Sequence, residues 1–347
     1  NSVADIDPLT QDLTVPVKMP LKYVIEMLMD RVAASKVYNR GHYSDDLPLK
    51  YFLRSYPYIP MNKETKRFLY ALLRMLAVYG EERTFRFVKL EIETGEEPLR
   101  LQKFAYRETG YPIEVQTKVH TSDESLSSIW DISERTLRRC MHETYEDCPY
   151  YEQLQYVMDT RFQILATYMT SADDRLARKC IEDFARSQRS DGLVEGAYPS
   201  FGSNAIVNFS IFYILMVWDH YRFFGDKAFT KKFLPNLEKI VAFYQNRLTD
   251  AGLVRRTSEG GQDGYYWSFV DWVSAWERGV PSAILHGDAT IESLLYLLGL
   301  EKQADLESYF AEDGYGALAE VHQRESALLK EAIREACLDA LGRCVHA

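Results

Sequence analysis

Between residues 83 and 121 apolar and polar positions alternate. The clearest runs are Thr84-Phe85-Arg86-Phe87-Val88-Lys89-Leu90-Glu91-Ile92 and Ile113-Glu114-Val115-Gln116-Thr117-Lys118-Val119, with turn residues at Thr94-Gly95-Glu96-Glu97-Pro98. A period of two is that of a half-buried strand, so this stretch is predicted to be antiparallel β. Upstream, Tyr23 to Ala34 and Lys63 to Val78 have helical spacing or simple apolar richness. Residues 1–121 are therefore expected to form a partial β-sandwich domain with irregular and helical additions. After Ser122 the period changes. Helical patterns recur over roughly 122–145, 150–170, 174–188, 205–224, 229–248, 282–300 and 315–340.

These runs carry a repeat. Asp191-Gly192-Leu193 is echoed by Asp250-Ala251-Gly252-Leu253, and Ala172-Asp173-Asp174 by Gly225-Asp226-Lys227, at offsets of 59 (191 to 250) and 53 residues (172 to 225). That is the size of one α-hairpin, which predicts an α/α toroid over residues 122–347. The 228 positions from 120 to 347 hold about four hairpins of ~57 residues, whereas a closed six-hairpin barrel needs roughly 340. The barrel is expected to be incomplete, with C-terminal hairpins missing: either the chain is a fragment or part of the native protein is absent from it.

The segment Asp147-Cys148-Pro149-Tyr150-Tyr151-Glu152-Gln153-Leu154-Gln155-Tyr156-Val157-Met158-Asp159 concentrates candidate chemistry. Pro149 suits the first turn of a helix and Asp147 can cap it, so a helix is predicted to start here. Glu152, Tyr156 and Asp159 then share one face. Two carboxylates beside an aromatic ring suit a sugar site, and a solvated helix face is the alternative. A second cluster runs from Tyr265 to Glu277, after the Gly-rich turn 259–264. It holds Trp267, Asp271, Trp272 and Trp276, three of the 5 tryptophans, and reads either as a core knot or as a carbohydrate-binding wall. Glycoside hydrolysis needs one acid to protonate the leaving oxygen and a second carboxylate to act on water or the sugar.

Composition narrows the alternatives. With 51 acidic and 41 basic residues the net charge is -10, and no Lys/Arg cluster interleaved with aromatics is present, which argues against nucleic acid as a partner. Aromatic residues make up 13%, with 24 Tyr, and such rings stack on sugar faces. The 5 cysteines show no CxxC or Cys/His ligand spacing, so no metal site, cofactor or disulfide framework is expected. No apolar run is long enough to cross a membrane; 205–218 reads as a buried helix. There is no GxSxG and no Gly-rich phosphate cradle. His142 reads as a surface or capping residue, and 331–335 as a solvated face. The first residues, Asn-Ser-Val-Ala-Asp, lack Met and the features of a signal peptide. The chain is expected to begin inside a longer protein, leaving bacterial cytoplasm and periplasm both open.

The run from Thr136 to Arg161, with DCPYYEQ at its centre, resembles the α-L-rhamnosidases of glycoside hydrolase family 78. Arg83 to Val88, Asp191-Gly192-Leu193 through Tyr198-Pro199-Ser200, and Trp267 to Trp272 extend the resemblance over roughly 83–340. It implies a (α/α)6 barrel behind a β-sandwich and inverting hydrolysis of terminal α-L-rhamnosides, with a rhamnose-containing glycoside as the binding partner. Glu152 would be the general acid and would be buried beside Tyr156; Asp147 and Asp159 would hold sugar hydroxyls, and Tyr156 would be an aromatic wall. Trp267, Asp271 and Trp272 would line the same pocket. The sequence departs from the family at Met158, where Gly is usual, and at 63–78, which is more helical than sandwich strands. The family's general base, a Glu from the last part of the barrel, has no counterpart before Ala347 and is expected outside this chain. A six-hairpin glycosidase for another sugar, or a non-catalytic carbohydrate-binding or scaffold protein, are the alternatives.

Overall fold

The computed structural model describes residues 5–6, 13–14, 18–39, 42–59, 61–79, 101–103, 105, 108–200, 202–255, 257, 266–281, 290–339 and 342. The chain divides into two compact units, Asn1–Ile92 and Glu93–Ala347. In the first, two-residue strands β1 (Asp5–Ile6) and β2 (Leu13–Thr14) pair antiparallel, and helices α1 (Leu21–Tyr38), α2 (Leu47–Ser55) and α3 (Lys63–Tyr79) follow. Val24, Phe52, Leu69 and Leu73 form its core. Leu69 and Leu73 are four apart, one above the other on the buried stripe of α3. The helical spacing at 63–78 is thus real. The described part of this unit is helical apart from that short pair.

The predicted strand at 113–119 is corrected. Among the described residues, these pair with no strand. Gln116 and Thr117 donate their N–H groups to the Thr170 carbonyl (2.9 and 3.3 Å), and Arg138 Nη1 donates to the Ile113 carbonyl (2.8 Å). Alternation reports that one face is covered, and here helix ends rather than neighbouring strands satisfy the backbone. The predicted strand at 84–92 lies outside the described residues.

The second unit is helical: α4 (Ser125–Arg139), α5 (Val157–Thr170), α6 (Arg175–Arg186), α7 (Phe209–Phe224), α8 (Lys227–Lys231), α9 (Leu234–Gln245), α10 (Thr290–Tyr309), a 3-10 turn (Ala311–Asp313) and α11 (Gly316–Cys337). Among its described residues, β structure is confined to isolated bridges. Helix α7 is apolar nearly all round, burying Phe209, Ile211, Tyr213, Ile214, Leu215, Met216 and Val217 among others. A helix of that kind must be covered on most sides, and α7 packs against α5 on one flank and α10 on the other. Helix α6 has only one apolar face, with Leu176, Ala177, Cys180, Ile181 and Phe184 at i, i+1, i+4, i+5 and i+8, and it lies against α7. Helix α9 lies across α7 and α10, and α11 pairs with α10 along its length. An inner row α5, α7, α10 is thus backed by an outer row α6, α9, α11, with one continuous core from Ile113 to Cys337.

Candidate functional site

Residues 140–156, 187–208 and the described residues of 246–281 are three loops that precede α5, α7 and α10 in turn, and they are stitched together at one end of the helical unit. Val157 N donates to the Gly196 carbonyl (3.0 Å) and Tyr198 N to the Gln155 carbonyl (3.1 Å), joining the first loop to the second. Trp267 N donates to Ala205 O (2.9 Å) and Val207 N to Trp267 O (3.1 Å), joining the second to the third. The repeat seen in the sequence builds the second and third loops alike. Arg189 N–Leu193 O and Thr249 N–Leu253 O, both 2.8 Å, close matching turns. Val194 N then donates to Ser210 Oγ (3.1 Å) and Val254 N to Ser293 Oγ (2.9 Å), each on the first turn of the following inner helix. Gly192 (φ 99°) and Gly252 (φ 76°) occupy the left-handed position these turns require.

The predicted helix start at Pro149 is corrected. Residues 147–156 form turns, and α5 begins at Val157 with Tyr156 as its extended N-terminal flank. Asp147 does not cap a helix at Pro149. Its Oδ1 accepts from Leu154 N (2.9 Å) while its own N–H donates to Leu154 O (2.9 Å), which folds 147–154 back on itself. Gln153, at φ 55°, makes the reversal. Glu152 is therefore off the helix and exposed, not buried beside Tyr156 as expected; Tyr150 and Tyr151 next to it are exposed too. The contact predicted from helical spacing survives for a different reason: the Tyr156 hydroxyl donates to Glu152 Oε2 at 2.7 Å. Asp159 alone of the acids is on the helix, in its first turn.

The charges of three carboxylates reach a fourth here. Burial first, and then the charges of Asp147, Glu152 and Asp271, hold the Asp159 carboxyl above the ordinary carboxylate range. Burial, its bond to Glu152 and the charges of Asp147 and Asp159 push the Tyr156 phenol up as well. Asp271 comes from the third loop, 112 residues beyond Asp159 (271 minus 159). Among the described residues, no Lys or Arg forms an ion pair with any of the four.

The aromatic residues are continuous with the acids. Tyr156 packs edge-on to Phe209 (6.3 Å between ring centroids), Phe209 to Phe269 (6.1 Å) and Phe269 to Trp272 (5.1 Å), while Phe269 and Trp267 are tilted against each other at 4.8 Å. Trp267 and Trp272 are 5.9 Å apart, and Trp272 is 70% exposed, leaving a free ring face at the site. Gly279, at φ 73°, lets the segment 270–280 close over Phe269, where a Cβ would strike the ring. The structure thus brings Asp147, Glu152, Tyr156, Asp159, Trp267, Asp271 and Trp272 to one end of the inner helices. Phe209, which with Phe269 connects the two clusters, was not singled out from the sequence, where 205–218 reads as a buried helix. Gln155 was missed as well: buried, it accepts from Tyr145 N and donates to Tyr198 O, fixing the loop beneath Glu152. The Gly-rich turn 259–264 and Tyr265 lie outside the described residues.

Residues 115–346 match the family described as bacterial alpha-L-rhamnosidase 6 hairpin glycosidase domain. An alpha-L-rhamnosidase of Formosa agariphila is 23% identical over 236 residues, covering 62% of this chain and 23% of that protein. The crystal structure of a GH78 family rhamnosidase of Bacillus sp. GL1 shares 26% identity at a TM-score of 0.58, over 69% of this chain and 24% of its own. A rhamnosidase from Klebsiella oxytoca, solved with rhamnose bound, has the same fold at 23% identity and a TM-score of 0.54, over 64% of this chain and 40% of its own. The chain thus spans about a quarter of the length of the first two relatives. By the match over two thirds of its length and by these shared helical hairpins, it belongs to the bacterial alpha-L-rhamnosidase six-hairpin glycosidase family.

Proposed function

We propose that the protein carrying this chain is a glycoside hydrolase acting on terminal α-L-rhamnosides with inversion. The hairpins are read as belonging to a (α/α)6 toroid, with the catalytic domain starting at about residue 122, just before α4. The observation that carries the reading is that three carboxylates from two loops, Asp147, Glu152 and Asp271, act on Asp159, beside the exposed Trp272. Membership of a rhamnosidase family and the relatives named above support rhamnose as the sugar.

In this mechanism Glu152 protonates the departing glycosidic oxygen. Its exposed carboxyl can reach a bound sugar, and the Tyr156 hydroxyl, donating to Oε2, fixes its orientation and leaves Oε1 as the oxygen that carries the proton. Asp147 and Asp159 hold sugar hydroxyls. Asp159, driven toward its neutral form, can donate as well as accept. Trp267 and Trp272 present ring faces to the apolar side of the sugar, and Asp271 closes the acidic rim. Inversion needs a base on the opposite face, with its carboxyl roughly 6.5–9.5 Å from that of the acid; that role is assigned to no residue of this chain.

The test is hydrolysis of an aryl α-L-rhamnoside by the full-length protein, with an aryl β-D-glucoside as control and proton NMR of the first sugar released. Rhamnoside-selective turnover with the β anomer appearing first is expected. Equal turnover of the glucoside would point to another sugar. Release of the α anomer first would exclude inversion, and rhamnose binding without turnover would leave a carbohydrate-binding protein.

A further inference from the structure

Away from the acidic loops, toward the opposite end of the helices, α9, α10 and α11 face one another across a polar cluster inside the core. Gln303 Nε2 on α10 lies 2.8 Å from Glu238 Oε1 on α9 and 2.7 Å from Glu307 Oε1 on its own helix. Glu307 Oε2 lies 2.8 Å from His322 Nδ1 on α11. Glu307 and Gln303 are fully buried and His322 nearly so; Glu238 is half-buried and gives the cluster its opening to water. The ligand-type atoms of Glu238, Glu307 and His322 all fall within 4.8 Å of one another.

Two carboxylates this close in the interior cannot both be ionised without a compensating positive charge. Burial and the neighbouring Glu307 push Glu238 up. Burial opposes the ionised Glu307, yet its hydrogen bonds to His322, Glu238 and Gln303 and the charge of His322 together hold it down, and Glu307 holds His322 up against its own burial, with Glu238 and Glu325 adding to it. Protons alone can balance these charges, one on His322 and one on the glutamate pair. They leave a residue unexplained: Gln303 Oε1 is buried and has no hydrogen-bond partner. Its amide head lies between the two glutamates, and a half-turn about Cγ–Cδ exchanges Nε2 and Oε1. The oxygen would then face two carboxylate oxygens, an arrangement favourable only with a cation between them.

We propose that Glu238, Glu307, His322 and the Gln303 amide oxygen form a site for one divalent transition-metal ion. Three oxygens and one imidazole nitrogen suit Zn2+ or Mn2+, whereas Ca2+ and Mg2+ prefer all-oxygen shells. The ligands come from three rigid helices, so the ion would tie the outer helix α9 to the pair α10–α11. Its two positive charges replace the two protons. No residue of the loop-end site takes part, and the proposal is independent of the sugar chemistry.

The test is isothermal titration of the 347-residue chain, freed of metal by a chelator, with ZnCl2, MnCl2, MgCl2 and CaCl2 in two buffers of different ionisation heat. Zn2+ and Mn2+ are expected to bind one per chain with proton release, more weakly as pH falls, and to raise the thermal midpoint. Glu238→Gln has the shape of the neutral carboxyl, so it should keep the fold by circular dichroism. It should weaken binding by more than the roughly 10- to 100-fold that loss of an outer-shell partner costs, and His322→Gln should do the same. Failure of Zn2+ and Mn2+ to bind, or binding unchanged by both substitutions, would overturn the site. Preference for Mg2+ or Ca2+ would overturn the class of ion.

Discussion

The two ends of the helical unit treat carboxylates in opposite ways. At the end with short connections, Arg178 joins successive hairpins, with Nε on Asp174 (2.7 Å), Nη2 on Asp226 (2.5 Å) and its guanidinium over the Phe229 ring. Lys231 reaches Asp313 in the next turn (2.7 Å). The Arg175 guanidinium holds the Asp173 carboxyl down to about 2, and Arg178 holds Asp226 below the usual range. At the end with long loops, burial and then the charges of Asp147, Glu152 and Asp271 push Asp159 up. One end uses charge to hold the hairpins in register; at the other Arg189 pairs with Asp191 and Glu195, while Asp147, Glu152, Asp159 and Asp271 form no ion pair among the described residues. Sites that trade stability for chemistry are expected to look like the second.

The comparison can be broken at several points. The largest loss of stability is expected from Gly192→Ala, because the long loops are built structure: the alanine would sit at φ 99° and strike the Lys239 carbonyl. Left-handed strain and overpacking together predict a loss of about 2–4 kcal/mol by denaturant unfolding; an unchanged midpoint would mean the loop end is slack. Arg178→Ala removes two partly exposed ion pairs and a ring contact, for about 1–2 kcal/mol. Asp226→Asn keeps an effective cap for Phe229 N and removes only charge, for about 0.5–1 kcal/mol at neutral pH.

The pH dependence gives the sign. Asp226 and Asp173 are depressed in the folded state, so their stabilisation is present above the unfolded value near 3.9 and is lost as pH falls, for Asp173 toward about 2. The Asp226→Asn deficit should vanish in acid. Asp159 is raised, so its contribution is present below the unfolded value and is lost as pH rises through its folded value. Asp159→Asn should therefore leave stability at neutral pH unchanged or higher, by about 0.5 kcal/mol or less, while weakening rhamnoside binding. A loss of stability equal to that of Asp226→Asn would erase the contrast between the ends.

Much of this contrast could be read in the sequence. The echo of Asp191-Gly192-Leu193 at 250–253 is a pair of matching turns, and that of 172–174 at 225–227 is the pair of acidic turns that Arg178 joins. What local pattern could not give was which partner satisfies a given backbone. Pro149 and Asp147 look like a helix start, but the Asp147 carboxylate takes Leu154 N and the start moves to Val157. Alternation at 113–119 gives a covered face without saying that helix ends cover it. Glu238, Glu307 and His322 lie 69 and 15 residues apart, on three helices, and no ligand spacing reveals them.

The most direct test of the account is the effect of Glu152→Gln on two substrates of the full-length protein: a natural rhamnoside and an aryl rhamnoside whose phenol is strongly acidic. General-acid assistance is worth on the order of 10² to 10⁴ in rate, and a good leaving group needs little of it. The account predicts a loss of that size for the natural substrate, a much smaller one for the aryl substrate, and an unchanged unfolding midpoint, since Glu152 is exposed. Equal losses on both substrates, or undiminished turnover of the natural one, would contradict it.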